Sequence, residues 1–301
     1  MKTLIIGCNG QVGWELQRTL APHGTVTAID FPDIDLTNKA SVARAVRFGS
    51  PDLIVNAAAY TAVDRAEQEP ATAEKVNADA PALLAHEARE LGAGLIHYST
   101  DYVFDGTKPD PYVETDAPNP QNVYGRTKLA GEQAVQAAGI RYVILRTSWV
   151  YSDRSSNFLL TILRLAAERE QLRIVADQYG TPTWARTLAQ TTARMVEQEI
   201  SHGEKQMFAN TSGIYHATGA GITSWHGFTE AILEEHKSVT GARRPLKVRE
   251  VLPITTDAYP LPAKRPHNSA LSNKKLEQIF AIEPRPWREQ LRELMVEMFG
   301  R

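Results

Sequence analysis

The chain has 301 residues, of which 43% are hydrophobic and 23% charged, as in an ordinary globular protein and unlike a disordered chain. Its 33 Lys and Arg residues nearly balance 35 Asp and Glu residues, so we expect no nucleic-acid partner. Cys8, the single cysteine, cannot form a disulfide within the chain. Since no apolar run is long enough to cross a bilayer and no signal-peptide pattern opens the sequence, we expect a cytoplasmic protein without a membrane partner.

The first half of the chain alternates short apolar runs with longer helical patterns. The runs predict strands over 3–6, 26–29, 53–55, 95–98 and 142–145. The helical patterns between them cover 11–20, 41–48, 73–91 and 128–138. Continuous apolar strands that alternate with helices are typical of a parallel sheet buried on both faces.

The second half is less regular, with helical patterns over 157–169, 185–199, 225–236 and 286–298 and one strand-like run over 213–216. Seven of the 17 prolines fall between Pro245 and Pro286, which predicts much loop there. We therefore predict an α/β fold, a doubly wound, mostly parallel Rossmann-type sheet with a smaller substrate-binding lobe. The predicted dinucleotide-binding domain covers 1–150 with a return segment at 185–217. The predicted lobe covers 151–184 and 218–301.

A glycine loop joins the first predicted strand to the first predicted helix over residues 7–13. Glycines let a backbone turn tightly and approach a pyrophosphate that binds at a helix N-terminus. The spacing here is G-x-x-G-x-x-G, not the familiar G-x-G-x-x-G, and it also fits a plain strand-to-helix turn. Its position after the first strand favours a dinucleotide site.

Two further strand ends are suited to a nucleotide. Asp30 follows the second strand, where a carboxylate would meet the adenosine ribose and disfavour the extra phosphate of NADP. An aspartate at a strand end is also a common turn residue. Small residues after the third strand, at 56–61, either leave room for a flat ligand or permit tight helix packing.

A hydroxyl, a tyrosine and a lysine follow in the order that one carbonyl-reducing site requires. Thr100 comes directly after the fourth strand, while Tyr124 and Lys128 are four residues apart and share a helix face. A nearby ammonium favours ionisation of a phenol, which makes proton exchange with a carbinol oxygen feasible at neutral pH. A hydroxyl opposite can orient the same oxygen. The set predicts hydride transfer between a carbonyl carbon and a nicotinamide.

On these residues the chain resembles the extended short-chain dehydrogenase/reductases. The matching segments span nearly the whole chain and are 7–20 (GCNGQVGWELQRTL), 55–64 (VNAAAYTAVD), 97–104 (HYSTDYVF), 122–132 (NVYGRTKLAGE), 146–151 (RTSWVY), 177–183 (DQYGTPT) and 265–271 (RPHNSAL).

The resemblance implies a role for each matching residue. Tyr124 would donate a proton to a keto oxygen, and Lys128 would hold the nicotinamide ribose and lower the Tyr124 pKa. Thr100 would bind the reacting oxygen, with Asp101 beside it. The implied cofactor-binding set is Gly7, Gly10, Gln11, Val12, Gly13, Asp30, Asp35, Leu36, Ala59, Tyr60, Thr61, Tyr124 and Lys128.

The implied substrate contacts are Thr100, Asp101, Trp149 and Arg265. Trp149 either touches the ligand or fills the gap between the lobes. Arg265 either binds a nucleotide diphosphate or belongs to a solvated basic pair. The eight histidines lack metal-ligand spacing, so no metal is predicted, and His97 is interpreted as a satisfied core histidine.

The implied reaction reduces the 4-keto group of dTDP-4-dehydro-β-L-rhamnose to dTDP-β-L-rhamnose with NADH or NADPH, the last step of dTDP-L-rhamnose synthesis. Another nucleotide-sugar 4-ketoreductase or an epimerase is the alternative within the family. A non-catalytic binding subunit, like the β subunit of methionine adenosyltransferase, is the alternative outside enzymology. The partner is a small-molecule nucleotide-sugar, and the sequence leaves a homodimer open.

Overall fold

The computed structural model describes residues 1–201 and 207–300. Its strands are β1 (Lys2–Ile6), β2 (Thr25–Ile29), β3 (Leu53–Asn56), β4 (Gly94–Thr100), β5 (Tyr142–Thr147), β6 (Val150–Tyr151), β7 (Gln171–Val175), β8 (Tyr179–Gly180), β9 (Thr183–Trp184), β10 (Gly213–His216), β11 (Thr223–Ser224) and β12 (Glu250–Ile254). Its helices are α1 (Gln11–Leu20), α2 (Lys39–Gly49), α3 (Val63–Ala66), α4 (Pro70–Glu74), α5 (Ala80–Leu91), α6 (Val123–Ala137), α7 (Phe158–Glu168), α8 (Ala185–Ser201), α9 (Trp225–Thr240), α10 (Lys274–Phe280) and α11 (Trp287–Phe299).

A parallel sheet of six strands, in the order β2-β1-β3-β4-β5-β10, organises the fold. Its inner strands are almost entirely buried because helices cover both faces. The chain leaves β1 toward β2 on one side and continues to β3 on the other. Such a reversal opens a crevice at the carboxyl ends of the strands. The predicted doubly wound, Rossmann-type architecture is confirmed.

Two apolar layers fix the helices on this sheet. On one face, Leu16 of α1 and Leu188 of α8 pack over the strands. On the other face, Val46 of α2, Leu84 of α5 and Val135 of α6 do the same. The sheet is therefore held rigidly beneath the strand ends that carry the candidate site.

A third core lies outside the sheet. It contains Tyr151, Ile162 of α7, Trp184, Phe228 of α9 and Leu294 of α11. Short strand pairs, β6 with β9, β7 with β12 and β8 with β11, border it. The segments α8 and β10, inside the predicted return segment, lie against the sheet: α8 packs on α1, and β10 pairs with β5.

Three local features differ from the sequence expectation. Helix α6 begins at Val123 and not at Lys128, because the Asn122 side chain accepts the Gly125 N–H and caps it. The pattern predicted as one helix over 73–91 contains α4, a π turn (Lys75–Asp79) and α5. The proline-rich stretch holds β12 and α10 besides loops. Within the described residues, no helix has the length and apolarity needed to cross a membrane.

Candidate active site

A cavity of about 480 Å³ lies at the carboxyl ends of β1, β3 and β4. It occupies the crevice that the strand order creates. Of the predicted site residues it is lined by Gly7, Gly10, Gln11, Val12, Asp30, Ala59, Thr61, Tyr124 and Lys128.

The glycine loop is shaped by close backbone approaches. Gly7 adopts a φ of +86°, and a Cβ there would lie 2.7 Å from the Ala58 backbone nitrogen. A Cβ on Gly13 would lie 2.0 Å from the Gly7 carbonyl oxygen, so only glycine lets α1 start this close to β1. Gly13 itself supports the loop from behind and is not among the cavity-lining residues.

The N-terminus of α1 has the chemistry that could bind an anion. Gly10 is its N-cap and offers no side-chain cap, so the first N–H groups of the helix have no side-chain acceptor. Gln11 and Val12, in this first turn, line the cavity. A pyrophosphate fits here because open N–H groups and the helix dipole both favour negative charge.

Asp30 stands at the end of β2 on the cavity wall. One carboxylate oxygen accepts the Asn9 N–H at 3.0 Å and the other accepts the Phe31 N–H at 2.8 Å. These bonds hold the carboxylate beside the glycine loop. Asp35 and Leu36 do not line the cavity: Asp35 accepts from its neighbour Thr37, and Leu36 packs against the sheet core.

The segment after β3 is divided between cavity and scaffold. Ala59 and Thr61 line the cavity. Tyr60 points elsewhere, since its hydroxyl donates to Glu69 at 2.9 Å, and its N–H donates to Asn77 at 2.8 Å. Burial raises the pKa of the Tyr60 phenol, and the Glu69 carboxylate raises it further.

Tyr124 sits in the first turn of α6 with its phenol at the cavity wall. Burial raises its pKa to about 12; a hydrogen bond with Thr100 acts in the opposite direction, and the charge of Asp101 adds to the rise. The sequence predicted a Tyr124 pKa lowered by Lys128, whereas in the structure burial dominates. The phenol is therefore firmly protonated at neutral pH, as a proton donor must be.

Lys128 lies one turn after Tyr124, is also buried and lines the same cavity. Nζ donates to the Tyr98 carbonyl at 2.6 Å and lies 3.3 Å from His97 Nε2. Burial lowers its pKa to about 8, against the opposing charge of Glu132. An amine with such a pKa exchanges protons readily near neutral pH.

Thr100 and Asp101 stand side by side behind the tyrosine. The Thr100 hydroxyl donates to Asp101 Oδ1 at 2.9 Å, and Asp101 Oδ2 is buried without a hydrogen-bond partner. Burial raises the Asp101 pKa to about 6, with hydrogen bonds from Ser269 and Thr100 lowering it in part. Neither residue lines the first cavity directly.

A second cavity, of about 620 Å³, opens beside the first. The edge-to-face ring contact of Tyr102 with Tyr124, at 5.5 Å between centroids, joins the two cavities. Arg265 lines the second cavity and binds the Asp64 carboxylate with two hydrogen bonds of 2.6 and 2.8 Å. It is therefore not the solvated basic residue of the alternative interpretation.

Trp149 lines neither cavity. Its ring stacks on Trp225 at 3.4 Å, and Trp225 lines the second cavity. The residue also has a φ of +46° and packs against Gly180. Its observed contacts are those of a packing residue behind an aromatic wall.

Ala57 and Ala58, from the small-residue segment 56–61, also line the first cavity. Sequence reasoning did not single out six further lining residues, namely Tyr98, Ser99, Thr147, Val150, Ser155 and Ser156. Tyr98 and Ser99 lie near the carboxyl end of β4, so strand-end position was the available signal. Thr147 lines the cavity, and its hydroxyl is buried without a hydrogen-bond partner. Among residues 1–201 and 207–300, no cluster of His, Cys, Asp or Glu stands where it could hold a metal ion.

The chain is similar in sequence and in fold to several known proteins. The model of the family described as RmlD substrate binding domain matches residues 1–299. The chain is 51% identical to dTDP-4-dehydrorhamnose reductase of Burkholderia thailandensis over 96% of each chain. It is 44% identical to the protein of that name from Escherichia coli K12, over 99% of this chain and 98% of the other.

Solved structures agree. A dTDP-4-dehydrorhamnose reductase from Clostridium acetobutylicum superposes with a TM-score of 0.88 at 38% identity, covering 99% of each chain. The Bacillus anthracis protein of the same name, solved in complex with NADP, gives a TM-score of 0.88 at 34% identity, over 98% and 99% of the two chains.

Proposed function

Because the chain belongs to the RmlD substrate binding domain family, we propose that it reduces the 4-keto group of dTDP-4-dehydro-β-L-rhamnose to dTDP-β-L-rhamnose. This is the last step of dTDP-L-rhamnose synthesis, and NADH or NADPH is the reductant. The observation that carries the proposal is the placement of Tyr124 and Lys128, one helical turn apart, on the wall of a cavity that the glycine loop also lines. The names of the similar reductases support the substrate.

The first cavity would hold the dinucleotide. Gly10, Gln11 and Val12 would contact the pyrophosphate, with Gly7 and Gly13 shaping the turn. The bound cofactor supplies the hydride for the keto carbon.

Two charged residues would position the ribose groups of the cofactor. Asp30 would accept a hydrogen bond from the adenosine ribose, and Lys128 would bind the nicotinamide ribose. Asp30 disfavours a 2′-phosphate, whereas the similar Bacillus anthracis protein was solved with NADP, so both cofactors enter the test. Ala59 and Thr61 would contact the cofactor from β3, while Asp35, Leu36 and Tyr60 would act through the scaffold.

The proton would come from Tyr124. Its phenol is uncharged, buried and at the cavity wall, so it can protonate the 4-keto oxygen as hydride arrives at the adjoining carbon. Thr100 donates its hydroxyl proton to Asp101 in this structure. It would turn that proton to the 4-keto oxygen and so orient it. The product carries a hydroxyl at the former keto carbon.

The second cavity would hold the rest of the nucleotide-sugar. Arg265 would bind the diphosphate through charge-assisted hydrogen bonds, kept in place by Asp64. Trp149 would affect substrate binding indirectly, because its ring holds Trp225 in place on the cavity wall. We further propose that 1–150 and 185–217 form the cofactor domain and that 151–184 and 218–301 form the substrate lobe. A cytoplasmic location and a homodimer stay predictions.

The decisive experiment compares Tyr124→Phe with the wild type. Reduced nicotinamide consumption is followed with enzymatically generated dTDP-4-dehydrorhamnose, and cofactor binding is measured separately by fluorescence. We expect kcat to fall by roughly 100-fold or more with nearly unchanged cofactor affinity. Tyr142→Phe, at the start of β5 away from both cavities, is the matched control and should keep full activity.

A fully active Tyr124→Phe enzyme would refute the assigned proton donor. Absence of any turnover in the wild type, with cofactor binding intact, would move the substrate to another nucleotide-sugar. The ratio of rates with NADH and NADPH measures what Asp30 contributes.

A further inference from the structure

A chain of hydrogen bonds runs from the backbone of Ala58 to the amine of Lys128. The Ala58 N–H donates to Asn56 Oδ1 at 3.2 Å, and Asn56 Nδ2 lies 3.1 Å from His97 Nδ1. His97 Nε2 then lies 3.3 Å from Lys128 Nζ, which also donates to the Tyr98 carbonyl. Asn56 and His97 are buried and do not line the first cavity, so water cannot replace a missing partner between them.

The backbone end of this chain fixes the direction of every bond. An amide N–H can only donate, so Asn56 must present Oδ1 to Ala58 and its NH₂ group to His97. His97 Nδ1 must then accept. Burial places the His97 pKa well below its usual range, so the ring carries one proton. That proton is on Nε2 and points at Lys128.

An Nε2–H group that points at Lys128 is compatible with only one form of the amine. Uncharged Lys128 has a lone pair to accept it, one N–H for the Tyr98 carbonyl and one N–H left for the cavity. An ammonium has no lone pair, so its contact with His97 would set two donors against each other. We propose that His97 is a positioning residue that favours the uncharged form of Lys128 while the lysine side chain lies against β4.

The arrangement couples protonation of Lys128 to its direction. When Lys128 gains a proton it loses His97 as a partner, and the ammonium turns toward the cavity, where the proposed nicotinamide ribose would accept its N–H groups. Burial also lowers the Lys128 pKa to about 8, which brings the switch near neutral pH. This coupling rests on the proposed function for its ribose partner, whereas the tautomer of His97 does not.

The other groups around Lys128 favour its charged form or are neutral. Glu132 on α6 raises the Lys128 pKa, although Arg146 on β5 neutralises much of that carboxylate. From its own helix Lys128 faces the uncharged phenol of Tyr124, and from β4 it faces His97 and the Tyr98 carbonyl. Of these groups, His97 is the one whose hydrogen-bond polarity opposes the ammonium.

The first test is the tautomer of His97 in the wild-type protein without substrate. Nitrogen NMR of histidine-labelled protein, assigned with His97→Phe, distinguishes the protonated from the unprotonated ring nitrogen. We expect a protonated Nε2 and an unprotonated Nδ1 across the neutral range. A protonated Nδ1 would overturn the proposal, and this result does not depend on any activity.

The second test reverses the direction of these hydrogen bonds with Asn56→Asp. The aspartate side chain has the same size as asparagine and keeps the acceptor oxygen for the Ala58 N–H. Its second oxygen accepts from His97 Nδ1–H, so Nε2 becomes an acceptor for an ammonium. We expect Lys128 to titrate about one pH unit higher, a tenfold change in its dissociation constant, as seen by carbon NMR of labelled lysine assigned with Lys128→Met.

The double variant Asn56→Asp/His97→Phe separates the relay from the added charge, since it keeps the carboxylate and removes the ring. We expect most of the rise in the Lys128 titration to disappear in it. An equal rise with and without His97 would overturn the proposal. In the reductase assay the falling basic limb of the pH profile should move upward in Asn56→Asp alone. Loss of that shift with the NMR results intact would instead count against the proposed function.

Discussion

Glu132 offers a strong test of the buried framework beneath the proposed active site. Its carboxylate is fully buried on α6 and binds Arg146 of β5 through contacts of 2.7 and 2.9 Å. It also accepts the hydroxyl proton of Ser99, the residue before Thr100. In Glu132→Gln the amide keeps the shape but leaves the guanidinium of Arg146 buried without its counter-charge.

The expected loss follows from that burial. Breaking one side of a buried ion pair costs about 3–5 kcal/mol, because the remaining charge stays desolvated. At roughly 2 °C per kcal/mol for a chain of this size, Tm falls by roughly 6–10 °C. Calorimetry and urea unfolding of Glu132→Gln measure the two quantities.

The matched control is Glu168→Gln, which breaks the pair of Glu168 with Arg164 on the surface of α7. Both partners are more than half exposed, at 53% and 61%, so the expected loss is below about 1 kcal/mol. If Glu132→Gln lost no more than this control, the buried pair would contribute nothing beyond a surface pair, and the reasoning would be refuted.

Three further outcomes are expected. Gly13→Ala should lower the free energy of unfolding by about 1–3 kcal/mol and weaken NADH or NADPH binding, because the new Cβ would overlap the Gly7 carbonyl. The control in the same urea and fluorescence titrations is Gly49→Ala, where the new Cβ would have no atom nearer than 3.9 Å. Asp101 has a pKa raised by burial to about 6, so the folded state holds its proton more tightly than the unfolded state. The protonated Asp101 carboxyl therefore contributes fully to stability at low pH, and this contribution disappears as pH rises from about 4 to about 6. In Asp101→Asn, the free energy of unfolding measured with urea should lose this part of its pH dependence. Arg265→Lys, which loses a two-bond grip on its carboxylate partner, should raise KM for the nucleotide-sugar about tenfold with a smaller change in kcat, and an unchanged KM would remove Arg265 from the proposed substrate site.

The sheet and the glycine loop were predictable because their signals are local. Each buried strand is one apolar run, and the loop over 7–13 follows β1 directly in sequence. The same holds for Tyr124 and Lys128, whose spacing within one helix needs no knowledge of the rest of the fold. The start of α6 was missed because its signal is the capping side chain of Asn122 and not an apolar period.

The second cavity could not be predicted in this way. Its walls come from α7, from the pairing of β7 with β12, and from the loop that carries Arg265, segments up to about 100 residues apart. Trp149 was predicted as a ligand contact or a filler between lobes, and its stacking on Trp225 depends on a partner that is also distant in the sequence. His97 is confirmed as a satisfied core histidine, but its partners Asn56 and Lys128 come from two other elements.

The last strand of the sheet has a consequence for the order in which the protein can be completed. Strand β10 pairs Gly213 with Val143 and His216 with Arg146, so β5 stays an open edge until about 70 more residues have left the ribosome. During that interval α7 and α8 are synthesised, whereas α9 and α11 of the third core are still to come, and the bare edge is available for wrong pairing. A fragment that stops at 150 would carry this edge permanently. Residues 213–216 therefore cover the exposed edge of β5 only late in synthesis.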